Sequence, residues 1–412
     1  GAPVALCRRR PPMKILVLSN LYPPHAVGGY ELSCHDAVEM WRDHGHEVTV
    51  LTTTTTFHDP AEDEPAPHVR RTLEWYWHDH HLLRPPPRER YRIERDNQRR
   101  LGELLTELQP DVVSLWAMGG MSMGLITTCV ERAYPIVVVI EDDWLVYGPH
   151  VDAWTAAWHR RPGWIGALAT QLTGLPTEIP RLPTTATVAF ASDYLRRRAT
   201  ADATIGFTRS AVVPLGTDVT DFPPRRPPTR PWAGKLLMVG RVEPRKGFDI
   251  AVHALTDLAD ATLRIVGAGD GDHRDELLAL ARQLGVNDRL TCDDFVARES
   301  LADIYLASDA LLFLSRWDEP FGLVPLEAMS QSVPVVATRR GGSAEFLTDG
   351  LNCLEVPVDA PDAVASAVRV LAGDEALRRR LVNGGLTTAG QYRVDRFADS
   401  LEEIHREASG TR

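Results

Sequence analysis

Short continuous apolar runs, separated by longer stretches of helical period, recur along this chain. Lys14–Leu18, Glu47–Leu51, Val112–Trp116, Ile136–Ile140, Val188–Ala191 and Ala211–Val213 read as strands in the first half. Lys235–Val239, Thr262–Val266, Ala310–Ser315, Val333–Val336 and Asn352–Val356 read as strands in the second. Tyr30–His44, Phe248–Leu258, Asp275–Leu284, Leu301–Ala307 and Pro361–Leu371 lie between them with helical spacing. Strands that are apolar throughout, alternating with helices, predict parallel sheets covered on both faces, an α/β architecture. The rhythm breaks over 57–100, where Arg84–Arg100 mixes acids with its arginines and predicts a solvated helix. It breaks again in a Trp-rich insertion over 144–164.

Prolines and turn formers concentrate from Pro214 to Pro228, and no amphipathic period survives there. The chain therefore divides into a flexible extension (1–12), an α/β domain (13–214), a linker (215–233), a second α/β domain (234–394) and a C-terminal helix (395–412) that returns to the first domain. Two similar halves imply a cleft between them.

Bulk composition narrows the function. The 412 residues carry 44% hydrophobic and 25% charged residues, as soluble globular proteins do. No apolar stretch approaches the length of a membrane span. The net charge of −11 argues against nucleic acid as a partner. Five scattered cysteines, Cys7, Cys34, Cys129, Cys292 and Cys353, show no metal spacing and fit a reducing, cytoplasmic setting. At the start, basic residues follow a short apolar piece, the wrong order for a secretory signal. Among 45 basic residues only Lys14, Lys235 and Lys246 are lysines, so a lysine inside a motif stands out.

The most informative segment runs from Arg316 to Ser330 between two expected buried strands. It holds Glu319 and Glu327 with seven residues between them, at the carboxyl edge of a parallel sheet, where open α/β folds bind ligands. If all eight steps were helical, the acids would lie about 12 Å apart along the axis, with helix-start N–H groups of Phe321–Val324 between them. An acidic first turn held by the helix dipole is the simpler alternative. Gly240–Gly247 follows a strand and offers Arg241 and Lys246 to a diphosphate, or is a solvated turn. Gly28 and Gly29 precede the first helix and let backbone approach a ligand closely. Gly267–Gly271 misses the dinucleotide fingerprint at Asp272. Glu141, Asp142 and Asp143 end the run Ile136–Ile140 and serve either a ligand or the cap of the next segment. His78, His80 and His81 lack partners at a zinc spacing. Trp75, Trp77 and Trp144, with Trp154 and Trp158, fall in irregular segments where exposed rings would stack on sugars of an acceptor.

Together these residues resemble the retaining glycosyltransferases of family 4, with the GT-B fold of two Rossmann-like domains facing each other across a cleft. The likeness covers nearly all of the chain from Met13 and is strongest over 235–357, where Gly240–Gly247, the Glu-x7-Glu block and Gly341–Glu345 follow in the family's order. The resemblance implies a nucleotide diphosphate sugar as donor and a hydroxyl acceptor, with no metal cofactor. It assigns the donor diphosphate to Gly28, Gly29, Arg241, Lys246, Gly322, Leu323 and Val324. Glu319, Pro320, Phe321 and Gly322 would meet the donor sugar, and Glu327, Phe295 and Val296 the nucleoside. Glu319, Asp142 and Glu141 are the candidate catalytic residues. Glu141 departs from the family, which carries histidine there, while Asp142 and Trp144 fit. Ser332 and Cys353 stand where the family usually has glycine. The expected acceptor is a small soluble sugar, aminocyclitol or natural product; a lipid-linked acceptor, and a nucleotide-sugar epimerase on the same fold, are the alternatives. A homodimer is compatible with the sequence.

Overall fold

The computed structural model describes residues 11–57, 66–78, 81–159, 161–226, 230–269, 271–294 and 296–410. The chain forms two compact units. One takes in the residues up to Phe190, Leu195–Val213 and the chain from Ala398; the other takes in Ala191–Tyr194 and Pro214–Phe397.

The first unit contains β1 (Lys14–Leu18), β2 (Glu47–Thr53), β3 (Val69–Leu73), β4 (Trp77–His78), β5 (His81–Leu82), β6 (Val112–Leu115), β7 (Ile136–Ile140), β8 (Thr187–Phe190) and β9 (Arg209–Val212). Seven of these make one parallel sheet in the order β3-β2-β1-β6-β7-β8-β9, and β4 and β5 pair as a short antiparallel hairpin. The second unit contains β10 (Lys235–Val239), β11 (Thr262–Val266), β12 (Leu290–Asp293), β13 (Ala310–Phe313), β14 (Val335–Ala337) and β15 (Cys353–Glu355). They form a parallel sheet in the order β12-β11-β10-β13-β14-β15. Each sheet is Rossmann-like, with helices between most successive strands. Strand order reverses between β1 and β6 in one and between β10 and β13 in the other, which makes those carboxyl edges natural ligand positions.

The apolar pattern located the central strands because both of their faces are buried; β6, β7 and β13 are buried at every residue. It missed β3 and β12, which lie at sheet edges and expose part of their length, so Val-Arg-Arg-Thr-Leu and Leu-Thr-Cys-Asp read as irregular. The expected solvated helix at 84–100 runs instead from Pro87 to Leu108 and buries Ile93, Glu94, Asn97, Leu101 and Leu105 along one face. Arg88, Arg92, Arg95 and Arg99 are exposed, while Arg90 and Arg100 are half-buried and Arg90 donates to the Ala153 carbonyl at 3.0 Å. The Trp-rich insertion is helical: Trp144–Val151, Thr155–His159 and Gly163–Thr173.

The last helix, Val394–Ser409, serves the first unit from Ala398 onward. Trp41 Nε1 donates to the Ala398 carbonyl at 3.0 Å, and its ring meets His405 edge-on at 4.8 Å. Glu402 accepts from His44 at 2.7 Å and from Arg406 at 2.8 Å. Arg406 also reaches the Pro11 carbonyl at 3.1 Å, so the end of the expected flexible extension is held; residues 1–10 lie outside the described residues. Four described cysteines are free thiols, and no described helix is long and apolar enough to cross a membrane.

Candidate active site

In the second unit, the loop leaving β10 is clamped onto the exit of β13. Arg316 donates to both oxygens of Asp249 at 2.7 Å and to the Pro244 carbonyl at 2.9 Å, while its N–H reaches the Arg245 carbonyl at 2.8 Å. Gly247 has φ +73°, and a Cβ there would stand 2.2 Å from the Leu314 carbonyl oxygen, so only glycine allows this approach. Lys246 ends a single 3-10 turn, Pro244–Lys246. Its Nζ lies 2.7 Å from Glu319 Oε1, which also accepts from Ser315 Oγ at 2.6 Å. Glu319 is only 4% exposed. Trp317 lies against the same cations, with the Arg245 guanidinium 4.0 Å above its ring and Lys246 Nζ at 5.5 Å. Arg241, on the same loop, is exposed.

Glu319 is not helical. It bridges to Gly341 in extended pairing, and its carbonyl accepts from the Gly342 N–H at 2.6 Å. Gly341 has φ +63°, and added Cβ atoms would stand 2.4 Å from the Glu319 oxygen at Gly341 and 2.1 Å from the Pro320 oxygen at Gly342. The helix begins only at Leu323, with left-handed Gly322 as its cap. The expectation of eight helical steps is therefore corrected: tertiary pairing to Gly341 holds Glu319 outside the helix, and Leu323, Val324 and Leu326 supply the first-turn amides, since Pro325 has none. Phe321 is buried against Phe346 and Tyr392, its centroid 5.3 Å and 5.7 Å from theirs, so its ring serves the core rather than a sugar. Pro320 offers its carbonyl to Ser192 Oγ at 2.5 Å. Glu345 closes this region by accepting the N–H groups of Asp193 at 3.1 Å and Tyr194 at 2.7 Å.

Glu327 lies one turn into the helix and accepts from Tyr305 Oη at 2.8 Å. Burial raises its carboxyl, opposed by the Arg298 charge and the Tyr305 hydroxyl. Tyr305 and Arg298 belong to the helix Arg298–Ala307, which starts just after Val296. Phe295 lies outside the described residues. Trp317, Tyr305 and Arg298 escaped sequence reasoning because their partners are distant in the chain; Ser315, four residues from Glu319, read only as the end of a buried strand.

In the first unit, Gly28 caps the helix Gly29–Asp43, but its N–H donates to the Glu31 carboxylate at 2.8 Å, as does that of Val27 at 3.2 Å. A capping acid therefore occupies the Gly28 amide expected to face a phosphate. At the end of β7, Asp142 accepts from the Trp144 N–H at 2.9 Å and from Tyr147 Oη at 2.7 Å. Burial pushes its carboxyl up to about 6, against both hydrogen bonds. Glu141 is 7% exposed and has both oxygens on Ser33 Oγ, at 2.6 and 2.7 Å; burial holds it well above the usual carboxylate range. Asp143 pairs with Arg198 at 2.9 Å.

Trp144 is fully buried and donates from Nε1 to Tyr30 Oη at 3.2 Å, which corrects its expected role as an exposed platform. It opens a helix at the sheet edge and faces inward. Trp75 and Trp77 do present rings: both are half-buried and stack on each other at 4.6 Å. Phe57 meets Trp77 at 6.2 Å, and Trp75 Nε1 donates to the Gly119 carbonyl at 3.0 Å. A Cβ on Gly119 would lie 2.3 Å from Tyr147 Oη. Loops following β2, β3, β6 and β7 thus join one aromatic ledge to Asp142.

Residues 27–221 match the family model described as Glycosyltransferase Family 4, and residues 227–387 the one described as Glycosyl transferases group 1. A D-inositol 3-phosphate glycosyltransferase of Xylanimonas cellulosilytica is 34% identical over 221 residues, 50% of this chain and 52% of that protein. The chain thus spans about half the length of the curated relatives it matches. Sucrose-phosphate synthase from Thermosynechococcus elongatus shares the fold with a TM-score of 0.71 at 19% identity, over 97% of this chain and 100% of that one. Anabaena HepE in complex with UDP-glucose does so with a TM-score of 0.65 at 19% identity, over 95% and 98%. The two family models lie end to end along the sequence, and the chain belongs to the group 1 and family 4 glycosyltransferases of GT-B fold.

Proposed function

We propose that the chain transfers a glycosyl group, with retention of configuration, from a nucleotide diphosphate sugar to an acceptor hydroxyl. The observation that carries this reading is the Lys246–Glu319 pair at the carboxyl edges of β10 and β13. It sets a compact cation against a buried carboxylate, a pairing that suits the junction of a diphosphate and its sugar. In this reading Lys246 and Arg241, with the amides of Leu323 and Val324, neutralise the leaving diphosphate. Glu319 receives the sugar hydroxyls through its second oxygen, Oε2. Glu327 holds the ribose, and Tyr305 fixes its rotamer. The diphosphate takes the acceptor proton, so the chemistry asks for no protein nucleophile and no metal.

The acceptor is proposed to lie on the first unit, along Trp75, Trp77 and Tyr147, with its hydroxyl near Asp142. The name of the inositol phosphate relative supports a small cyclitol or sugar, and the HepE complex supports a uridine nucleotide. A lipid-linked acceptor is the second reading, favoured by one observation. The helix Gly163–Thr173 has no charged residue and exposes Trp164 at 69% and Leu172 at 77%, with Leu168 between them. Incubation with UDP-sugars, alone and then with soluble or micellar acceptors, tests the reading. Glycosylated product supports transfer, an acceptor-free epimer favours the epimerase, and no turnover overturns both. Full activity in Glu319→Ala sinks the donor assignment.

A further inference from the structure

We propose that Trp317 sorts two neighbouring cations: its ring holds Arg245 aside, so that Lys246 alone pairs with Glu319 and one oxygen of that acid stays open. Arg245 and Lys246 are consecutive, and one buried carboxylate stands beside them. The Arg245 backbone is close enough for its side chain to compete. Ser315 Oγ lies 3.4 Å from the Arg245 carbonyl oxygen and donates to Glu319 Oε1 at 2.6 Å, so a single hydroxyl separates that backbone from the acid. The Arg316 N–H pins the same carbonyl at 2.8 Å. Arginine is the stronger partner for a buried carboxylate, because its planar fork bonds both oxygens and it is the more weakly hydrated cation.

The pairing found is the other one. Lys246 Nζ and Ser315 Oγ both meet Oε1 of Glu319, and among the described residues no hydrogen bond falls on Oε2. Arg245 is turned away. Its guanidinium lies 4.0 Å from the Trp317 ring centroid, and its Nε donates to Glu243 at 2.6 Å. Lys246 Nζ is 5.5 Å from the same centroid, near the outer limit of cation–π attraction, so the ring favours the arginine. Tryptophan is the aromatic side chain that attracts a cation most strongly. The Trp317 N–H is buried without a partner among the described residues, so the face of this ring, rather than its polar edge, is what its neighbours use. A lysine, as a compact charge, shares Oε1 with Ser315 and leaves Oε2 available. A forked guanidinium in its place would take both oxygens. Trp317 is thus a positioning residue, which acts on Glu319 through Arg245.

The sorting of the cations stands apart from glycosyl transfer; its consequence for turnover rests on that reading. Lys14, Lys235 and Lys246 are the only lysines of the chain, and the first two are exposed, so NMR of the full chain with ¹⁵N-labelled lysine resolves Lys246. Wild type should show one ammonium signal slowed in hydrogen exchange, and Lys246→Ala should lack it. Trp317→Leu should lose the signal, Trp317→Phe should keep it, and Trp317→Leu combined with Arg245→Ala should recover it. No slowed signal in wild type, a signal that persists in Trp317→Leu, or one that does not return when Arg245 is removed overturns the proposal. A merely structural tryptophan would not be rescued by deleting an arginine. If Trp317→Leu does not fold, Trp317→Gln, suited to a half-buried position, carries the same prediction. In turnover, Trp317→Leu should raise the donor KM about tenfold with the acceptor KM unchanged, and the double variant should return to within about threefold of wild type. If wild type turns over no nucleotide sugar, the donor reading fails, and the lysine spectrum still decides the sorting.

Discussion

Lys246 Nζ lies 2.7 Å from Glu319 Oε1, and 73 residues separate the two along the chain. Lys246→Ala should leave a buried carboxylate without its cation. Breaking a fully buried pair costs about 3–5 kcal/mol, and partial exposure of the lysine brings the expected loss to about 2 kcal/mol. Glu319→Gln should cost less, since Ser315 can still bond the amide. Urea denaturation of both variants checks this order. Both should lose roughly 100-fold or more in turnover, because both act on the leaving group and sugar.

Gly342→Ala should disturb Glu319 without touching a charge. The new Cβ would stand 2.1 Å from the Pro320 oxygen and 2.8 Å from Ser192 Oγ. The expected destabilisation is about 1–3 kcal/mol, together with weaker donor binding, read by thermal shift with and without nucleotide.

Trp75→Ala and Trp144→Ala should separate acceptor binding from folding. Trp144 is fully buried, so its truncation should cost about 3–5 kcal/mol of stability. Trp75 is half-buried, and its loss should raise the acceptor KM roughly tenfold while leaving the donor KM unchanged. Equal effects on both substrates would remove Trp75 from the acceptor site.

Acid should weaken the first unit in two stages. Burial lowers His405 to about 4, so it favours folding when neutral; that contribution is present above the unfolded histidine range and is lost as pH falls towards 4. Glu402 is held down at about 2 by His44, Arg406 and His46, although burial alone would raise it. Its contribution is present above the unfolded glutamate range and is lost as pH falls towards 2. Melting curves of wild type and Glu402→Gln should differ most near neutrality and converge at low pH.

Chelation should leave turnover intact. The proposed charge compensation comes from Lys246, Arg241 and backbone amides, so activity measured in excess EDTA should match the untreated enzyme. Loss that returns with a divalent ion would show that these cations do not suffice.

Much of this molecule was legible in one dimension. Strands such as Ile136–Ile140 and Ala310–Phe313 announce themselves because parallel strands bury both faces, so their sequences are apolar without interruption. The position of the candidate site in the fold was legible for the same reason: ligand loops follow such strands, and Arg241, Lys246, Glu319 and Glu327 all lie after β10 or β13. Ser332, where the resemblance led one to expect glycine, has φ +61°, a conformation that glycine adopts at least cost.

Pairing between distant segments was not legible. Whether Glu319 begins a helix or lies extended depends on Gly341, which holds it in a bridge. Whether Trp144 is a platform or core depends on Tyr30. Whether the Gly28 amide awaits a phosphate depends on the side chain of Glu31, and that Glu141 meets Ser33 depends on the helix after Gly28 packing against the end of β7. Period and composition record which residues leave water. Which polar groups then meet is decided by packing, because a buried donor or acceptor takes the partner that the folded chain brings within 3 Å or so.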